Sequence, residues 1–164
     1  MLVFGDHHDR IAPTAKLEEL GSRLDRVHRM QPGIARHAAL VNAFVEAGRL
    51  HQGLADHDFH IAGWDRRSVA ADRIGAFVHD LAVAVLHSAL GSPDLLPHVP
   101  ALSAGQFPEE VTVKVAEGYA FYAVYPEAFA EAAGRLELVA PPRVIGIRSI
   151  GSSLAAIVAA ALGA

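Results

Sequence analysis

The sequence predicts a helix-rich α/β protein, in which a bundle of helices precedes a shorter segment of alternating strands and helices. Apolar residues recur at steps of three and four through the first half of the chain, as they do on the buried face of a helix. Beyond a proline-rich stretch the period changes to alternation, which is typical of strands. We therefore expect a helical domain over residues 1–92, a connector over 93–107 and an α/β segment over 108–164.

Two helices are predicted before residue 55. Pro13 and Thr14 give the first helix its start signal, and its apolar face is formed by Leu17, Leu20, Leu24 and Val27. Pro32 opens the second helix, which we expect to end near Gly48 or Gly53, because glycine is the most common residue just after a helix.

A third helix follows an aperiodic stretch. Residues 56–64 lack a helical period and are expected to form a loop. Asp65 or Ser68 is then placed to cap a helix that runs to about Leu90, since their side chains accept hydrogen bonds from first-turn amides. The connector after it holds a cluster of prolines, which are Pro93, Pro97, Pro100 and Pro108.

The final third alternates between strand and helix patterns. Residues 111–115 alternate valine with polar residues, and the aromatic-rich run 119–125 is expected to pair with them as a hairpin. A helix from Pro126 to about Leu136 comes next, followed after Pro141 by a last strand and an apolar helix. This order of elements is typical of an α/β domain.

The bulk composition excludes several classes of function. The chain has 164 residues, 52% of them hydrophobic, which is enough for a core. Its net charge of −4 offers nucleic acid no attraction, so no nucleic-acid partner is expected. The sequence contains no cysteine, which fits a cytoplasmic location. We expect no signal peptide and no membrane span, because the apolar stretches at both ends are too short, and we interpret the C-terminal stretch as a buried helix with a tail anchor as the alternative.

The most specific feature is the junction between the last predicted strand and the last helix. A tight turn there would place the unpaired amides of a helix start beside a guanidinium and several hydroxyls, which together favour an anion. The candidate binding residues are Arg148, Ser149, Ile150, Gly151, Ser152 and Ser153. The alternative is a purely structural turn, in which glycine relieves the backbone and serine caps the helix.

The run from Val144 to Ala155 resembles the pyrophosphate-binding loop of phosphoribosyltransferases. Residues 118–127 are similar to a segment of bacterial members of that group. The resemblance covers residues 117–164 and implies a phosphoribosyltransferase-like strand and helix, with the six candidate residues contacting the diphosphate of phosphoribosyl pyrophosphate. It also implies Mg²⁺, which bridges diphosphate and ribose oxygens in such enzymes.

The second signature of that family is missing from this sequence. Neither acidic pair, Glu18-Glu19 or Glu109-Glu110, follows an apolar strand and leads into a Thr/Gly-rich loop. We therefore expect the chain to bind a small phosphorylated ligand but to be incomplete as a stand-alone catalyst. An interaction subunit with no enzymatic activity is the alternative, its sheet being completed by a second subunit or by another copy of the chain.

Two further chemical interpretations remain open. Residues 147–151 resemble a hydrolase nucleophile elbow with Ser149 as the nucleophile, although no Asp, Glu or His follows it in the sequence.

Clusters of His and Asp at 6–9, 56–60 and 79–80 suggest a metal phosphohydrolase. Their spacing matches no ligand motif, so we expect no metal site and interpret these residues as surface histidines and capping aspartates.

Overall fold

The computed structural model describes residues 8–92, 96–101, 103–121, 124–140, 142–147 and 151–163. The fold is mostly helical, with one small antiparallel sheet. In chain order the elements are β1 (His8–Ile11), α1 (Pro13–Arg29), α2 (Ile34–Ala62), α3 (Val69–Ala89), β2 (Val111–Lys114), α4 (Glu117–Phe121), α5 (Pro126–Gly134) and α6 (Gly151–Leu162), with a short 3-10 turn at Ala104–Gln106 before β2.

The first helix forms as its sequence pattern predicts. Pro13 occupies its first turn, where the missing amide hydrogen costs nothing. Its predicted apolar face packs against α2, and the four residues Leu17, Leu20, Leu24 and Val27 are all buried.

The second helix is much longer than predicted. It continues through Gly48 and Gly53 and ends at Ala62, so the expected loop over residues 56–64 is wrong for most of its length. The two glycines provide space for neighbours instead of ending the helix. A Cβ on Gly48 would lie 2.8 Å from the Cβ of Ser153, and one on Gly53 would lie 2.7 Å from Cγ1 of Val113. Glycine therefore lets α6 and β2 approach the backbone of α2.

The third helix begins at the predicted cap. The Ser68 hydroxyl accepts a hydrogen bond from the Ala71 amide at 3.2 Å, as an N-cap serine does. Ile74, Phe77 and Leu81 lie on its buried face against α2. The same core extends to Val113 in β2 and Ile157 in α6, so it contains residues from both predicted domains.

The sheet corrects the predicted hairpin. Strand β2 forms within the expected range, but it pairs with β1 in an antiparallel register that joins Ile11 to Val111 and His8 to Lys114. Residues 119–121 of the aromatic run lie in helix α4, residues 124 and 125 are in neither helix nor strand, and residues 122 and 123 lie outside the described residues. Val111 and Val113 are buried on α2, so this helix covers one face of the strand.

The last predicted strand is also corrected. Residues 142–147 are in neither helix nor strand, and Ile145 and Ile147 are 80% and 87% exposed. The α/β fold class with a phosphoribosyltransferase-like strand and helix is therefore wrong for this chain. It is a helical protein whose two-stranded antiparallel sheet, the only sheet among the described residues, lies on α2. The last predicted strand does not form over residues 142–147, because an apolar strand is stable only where another strand pairs with its backbone hydrogen-bonding groups.

Candidate functional site

The predicted anion-binding turn lies only partly within the described residues. Arg148, Ser149 and Ile150 fall outside them. Helix α6 begins at Gly151, where the first amides of a helix have no partner within it. Ser152 is half-buried, and Ser153 is 4% exposed.

Ser153 has a packing role that the sequence did not indicate. Its side chain lies against the bare backbone of Gly48, and its hydroxyl is 3.1 Å from the hydroxyl of Tyr119. Burial raises the pKa of Tyr119, although the Ser153 hydrogen bond acts in the opposite direction. The neutral phenol and Ser153 thus join α4, α6 and α2 at one point.

The chain approaches α6 very closely just before the turn. An added Cβ on Gly146 would lie 2.0 Å from the carbonyl oxygen of Gly151 and 2.8 Å from Cβ of Ala155. No side chain fits in this space, so glycine is required for the segment to pack on the first turn of the helix.

The same segment carries an exposed apolar surface, which we call the apolar strip. Along it, Val139, Ile145 and Ile147 are 106%, 80% and 87% exposed. Four more exposed apolar residues lie before, in and after α5, and they are Tyr125, Phe129, Leu136 and Leu138. Exposed apolar residues concentrated in one part of a chain suggest an interaction site.

A separate cavity of about 900 Å³ lies between the start of α2 and the end of α3. It has apolar walls from Met30, Pro32, Ile34 and Ala89, and polar groups from His28, Arg36, His37 and Ser88. Helix α2 contributes its first turn, whose Gly33 has a φ of 148°, a conformation that favours glycine. The volume is within the range of small-molecule sites.

His37 connects two other helices at the wall of this cavity. Its Nδ1 atom is 3.0 Å from the hydroxyl of Ser88 on α3, and its Nε2 atom is 2.6 Å from a carboxylate oxygen of Glu127 on α5. The imidazole is held between Ser88 and Glu127. The side chains of His37 and Glu127 are 19% and 30% exposed, so the ring can be reached from the cavity. The three residues form a hydroxyl, imidazole and carboxylate chain.

The sheet is fastened to α2 by a charged cluster. Arg49 donates hydrogen bonds to Glu46, Asp9 and the carbonyl oxygen of Lys114 at 2.9 to 3.0 Å. Burial opposes ionisation of Glu46, but hydrogen bonds from Lys16 and Arg49 outweigh it and lower the pKa of this carboxyl. The cluster has opposite charges in balance and is interpreted as structural.

The histidine and aspartate clusters do not assemble a metal site in the part of the chain that is described. No group of three His, Asp or Glu side chains converges there. His57 lines a cavity of about 240 Å³ in which Asp58 pairs with Arg66 at 3.2 Å. His7 lies outside the described residues.

The sequence missed the His37 chain of contacts entirely. Ser88 and Glu127 are 51 and 90 residues away from His37 along the sequence, so no local motif joins them. The only local signal is the Pro32-Gly33 helix start, which brings His37 to the first turns of α2. Packing of α2 against α3, and of α3 against α5, then brings the three residues together.

Comparison with protein-family models, with characterised proteins and with solved structures finds no match to this chain. Within the described ranges, none of the helices is both long enough and apolar enough to cross a bilayer.

Proposed function

We propose that the chain binds a small phosphorylated ligand, such as phosphoribosyl pyrophosphate with Mg²⁺, at the turn that leads into α6. The observation that supports this most directly is the close packing of Gly146 on the first turn of that helix. Phosphate-binding turns use the same device, because a glycine lets extended backbone pass near a helix whose amides bind the anion.

Each candidate residue has a role in this proposal. Arg148 supplies positive charge, and Gly151 allows the ligand to approach the backbone. Ser149, Ile150 and Ser152 supply hydroxyl or amide donors. Ser153 contributes only its amide, because its hydroxyl is directed to Tyr119 at 3.1 Å.

Mg²⁺ enters the proposal with its ligand. The described residues provide no group of three acidic or histidine side chains. In this proposal Mg²⁺ is bound mainly by the phosphate oxygens of the ligand, which is how proteins usually bind Mg²⁺ together with phosphorylated ligands. The proposal includes a cytoplasmic location, which fits a chain without cysteine.

The test is a titration of the full chain with phosphoribosyl pyrophosphate and Mg²⁺, followed by ³¹P NMR and calorimetry. We expect millimolar or tighter binding, and Arg148→Ala should weaken it by about tenfold or more, since a charge-assisted hydrogen bond is lost. Arg143→Ala is the matched control, because it removes an exposed cation of the same segment.

A second pair of variants separates ligand contact from packing. Ser152→Ala should weaken binding, whereas Ser153→Ala should lower thermal stability and leave affinity within about twofold. Equal affinity of wild type and Arg148→Ala, or no ³¹P response at millimolar ligand, would refute the phosphate proposal.

The apolar strip supports a second candidate, an interaction subunit that another copy of the chain or a different polypeptide completes. Residues 142–147 are in neither helix nor strand and carry the exposed β-branched side chains of Ile145 and Ile147, so a strand supplied from outside can pair with them. Light scattering over a range of concentrations tests self-association. We expect a mass above the 17.4 kDa monomer and a return to monomer in Ile145→Lys. A wild type that stays monomeric at all concentrations counts against self-association.

A further inference from the structure

A second chemical site lies away from α6, at the cavity between α2 and α3. There the Ser88 hydroxyl is 3.0 Å from Nδ1 of His37, and Nε2 of the same ring is 2.6 Å from Glu127. A nucleophile, a base within hydrogen-bond reach and a carboxylate that orients the base are the parts of a serine nucleophile site. This arrangement is independent of the phosphate proposal and shares no residue with it.

The protonation pattern follows from the partners. An ionised Glu127 carboxylate has only acceptor atoms, so Nε2 carries the hydrogen in the neutral ring and Nδ1 has the free lone pair. Nδ1 then accepts the hydrogen bond from Ser88. The two ring nitrogens exchange the roles they have in the Ser-His-Asp triad, where Nε2 accepts from the serine and Nδ1 donates to the carboxylate.

The cavity supplies the rest of what acyl chemistry needs. Ser88 and His37 line it, so an ester carbonyl can reach the hydroxyl. Gly33 and Ile34 at the start of α2 line it too, and the helical hydrogen bonds begin with the His37 amide donating to Gly33 at 3.0 Å. The amide of Ile34 precedes that bond and has no partner within the helix, so it is the candidate donor to a developing oxyanion.

The geometry points to Ser88 as the nucleophile of an esterase that acts on carboxylic esters with small apolar acyl groups. Met30, Pro32 and Ala89 give the cavity apolar walls that suit such a group. His37 is the second catalytic residue, and Glu127 is a positioning residue that acts through the imidazole.

The reaction balances without any cofactor. Ser88 Oγ attacks the ester carbonyl carbon while its proton passes to Nδ1 of His37. The tetrahedral intermediate then collapses, the bond to the alcohol oxygen breaks, and the alcohol leaves with the proton from His37. Water, which gives a proton to the same nitrogen, attacks the acyl-serine and releases the carboxylic acid, and His37 returns the proton to Ser88.

The first experiment treats the full chain with an alkyl fluorophosphonate and locates the adduct by peptide mass spectrometry. The label is expected on Ser88 and should disappear in Ser88→Ala. Ser22→Ala is the control, because Ser22 is exposed on α1 and should not change labelling. Absence of an adduct on Ser88 in folded wild type would overturn the proposal.

The second experiment measures hydrolysis of p-nitrophenyl butyrate. Ser88→Ala and His37→Gln should each lower kcat by about 100-fold or more, the usual contribution of a nucleophile and its base. Glu127→Gln should lower kcat with little change in KM, whereas a loss of substrate binding would raise KM. Circular dichroism keeps folding separate, and a folded Ser88→Ala variant with the wild-type rate contradicts the assignment.

Discussion

The helical bundle and the apolar strip contain the same kinds of side chain and bury them to opposite extents. In the bundle, Leu20, Phe44 and Leu81 are completely buried at 0% exposure. In the strip, Ile145 and Ile147 are 80% and 87% exposed. A periodic pattern tells which side of an element is apolar, whereas burial also requires a second element that covers it. The bundle helices cover one another, and within the described residues nothing covers that side of the strip.

The largest expected effect separates the two regions by stability. Leu81→Ala should lower the free energy of unfolding by about 2–5 kcal/mol, because it leaves a cavity in a packed core. Ile145→Ala should change it by less than about 0.5 kcal/mol, as expected of an exposed residue. Urea unfolding followed by circular dichroism measures both. A loss above about 1 kcal/mol in a monomeric Ile145→Ala protein would mean that the strip is covered after all.

Glycines that mediate close packing should give an intermediate effect. Gly53→Ala places a Cβ 3.0 Å from the carbonyl oxygen of Thr112 and closer still to Val113, so β2 must shift away from α2. We expect a loss of about 1–3 kcal/mol from overpacking. That cost exceeds the roughly 1 kcal/mol by which alanine favours a helix.

Gly134→Ala is the matched control for this variant. Gly134 is also helical, but an added Cβ would meet no atom within 4 Å. Its replacement should raise stability by up to about 1 kcal/mol in the same urea assay. Equal effects of the two variants would show that helix propensity, and not the approach of β2, decides the role of glycine in α2.

The sequence predicted those parts of the fold that depend on local chemistry. The apolar face of α1, the Ser68 cap of α3 and the location of β2 all follow from neighbouring residues. It did not predict the length of α2. A glycine such as Gly53 can end a helix, or it can lie inside a helix where a strand packs closely on the backbone. Only the position of β2 distinguishes these two cases.

In the candidate site, too, the sequence predicted features that depend on neighbouring residues but not contacts between distant elements. The sequence located the start of α6 and its serines, but it could not assign Ser153 to Tyr119, because that contact depends on how α4 packs. It placed a last strand after Pro141, but the described residues 142–147 are in neither helix nor strand. The Ser88, His37 and Glu127 contacts were beyond its reach, since they depend on three helices meeting.

The smallest effect concerns a histidine inside the bundle, and it tests whether burial there is as complete as the packing indicates. The Nδ1 atom of His51 is buried with no hydrogen-bond partner among the described residues, and the ring lies against Gly75 of α3. Burial lowers the pKa of His51 from 6.5, and the charge of Asp72 only partly opposes it. The unfolded chain therefore binds this proton more readily than the folded chain.

The contribution of neutral His51 to the free energy of unfolding is thus fully present above pH 6.5. It is lost as the pH falls through the pKa that His51 has in the folded protein, which is lower. We expect urea midpoints of the wild type to fall between pH 7.5 and pH 5. His51→Leu and His51→Gln should both flatten that part of the profile, because neither side chain titrates there. His51→Leu should also be the more stable of the two, since it leaves no buried polar group unpaired. If both variants keep the wild-type slope, the proton is taken up elsewhere and the bundle is open to water at this position.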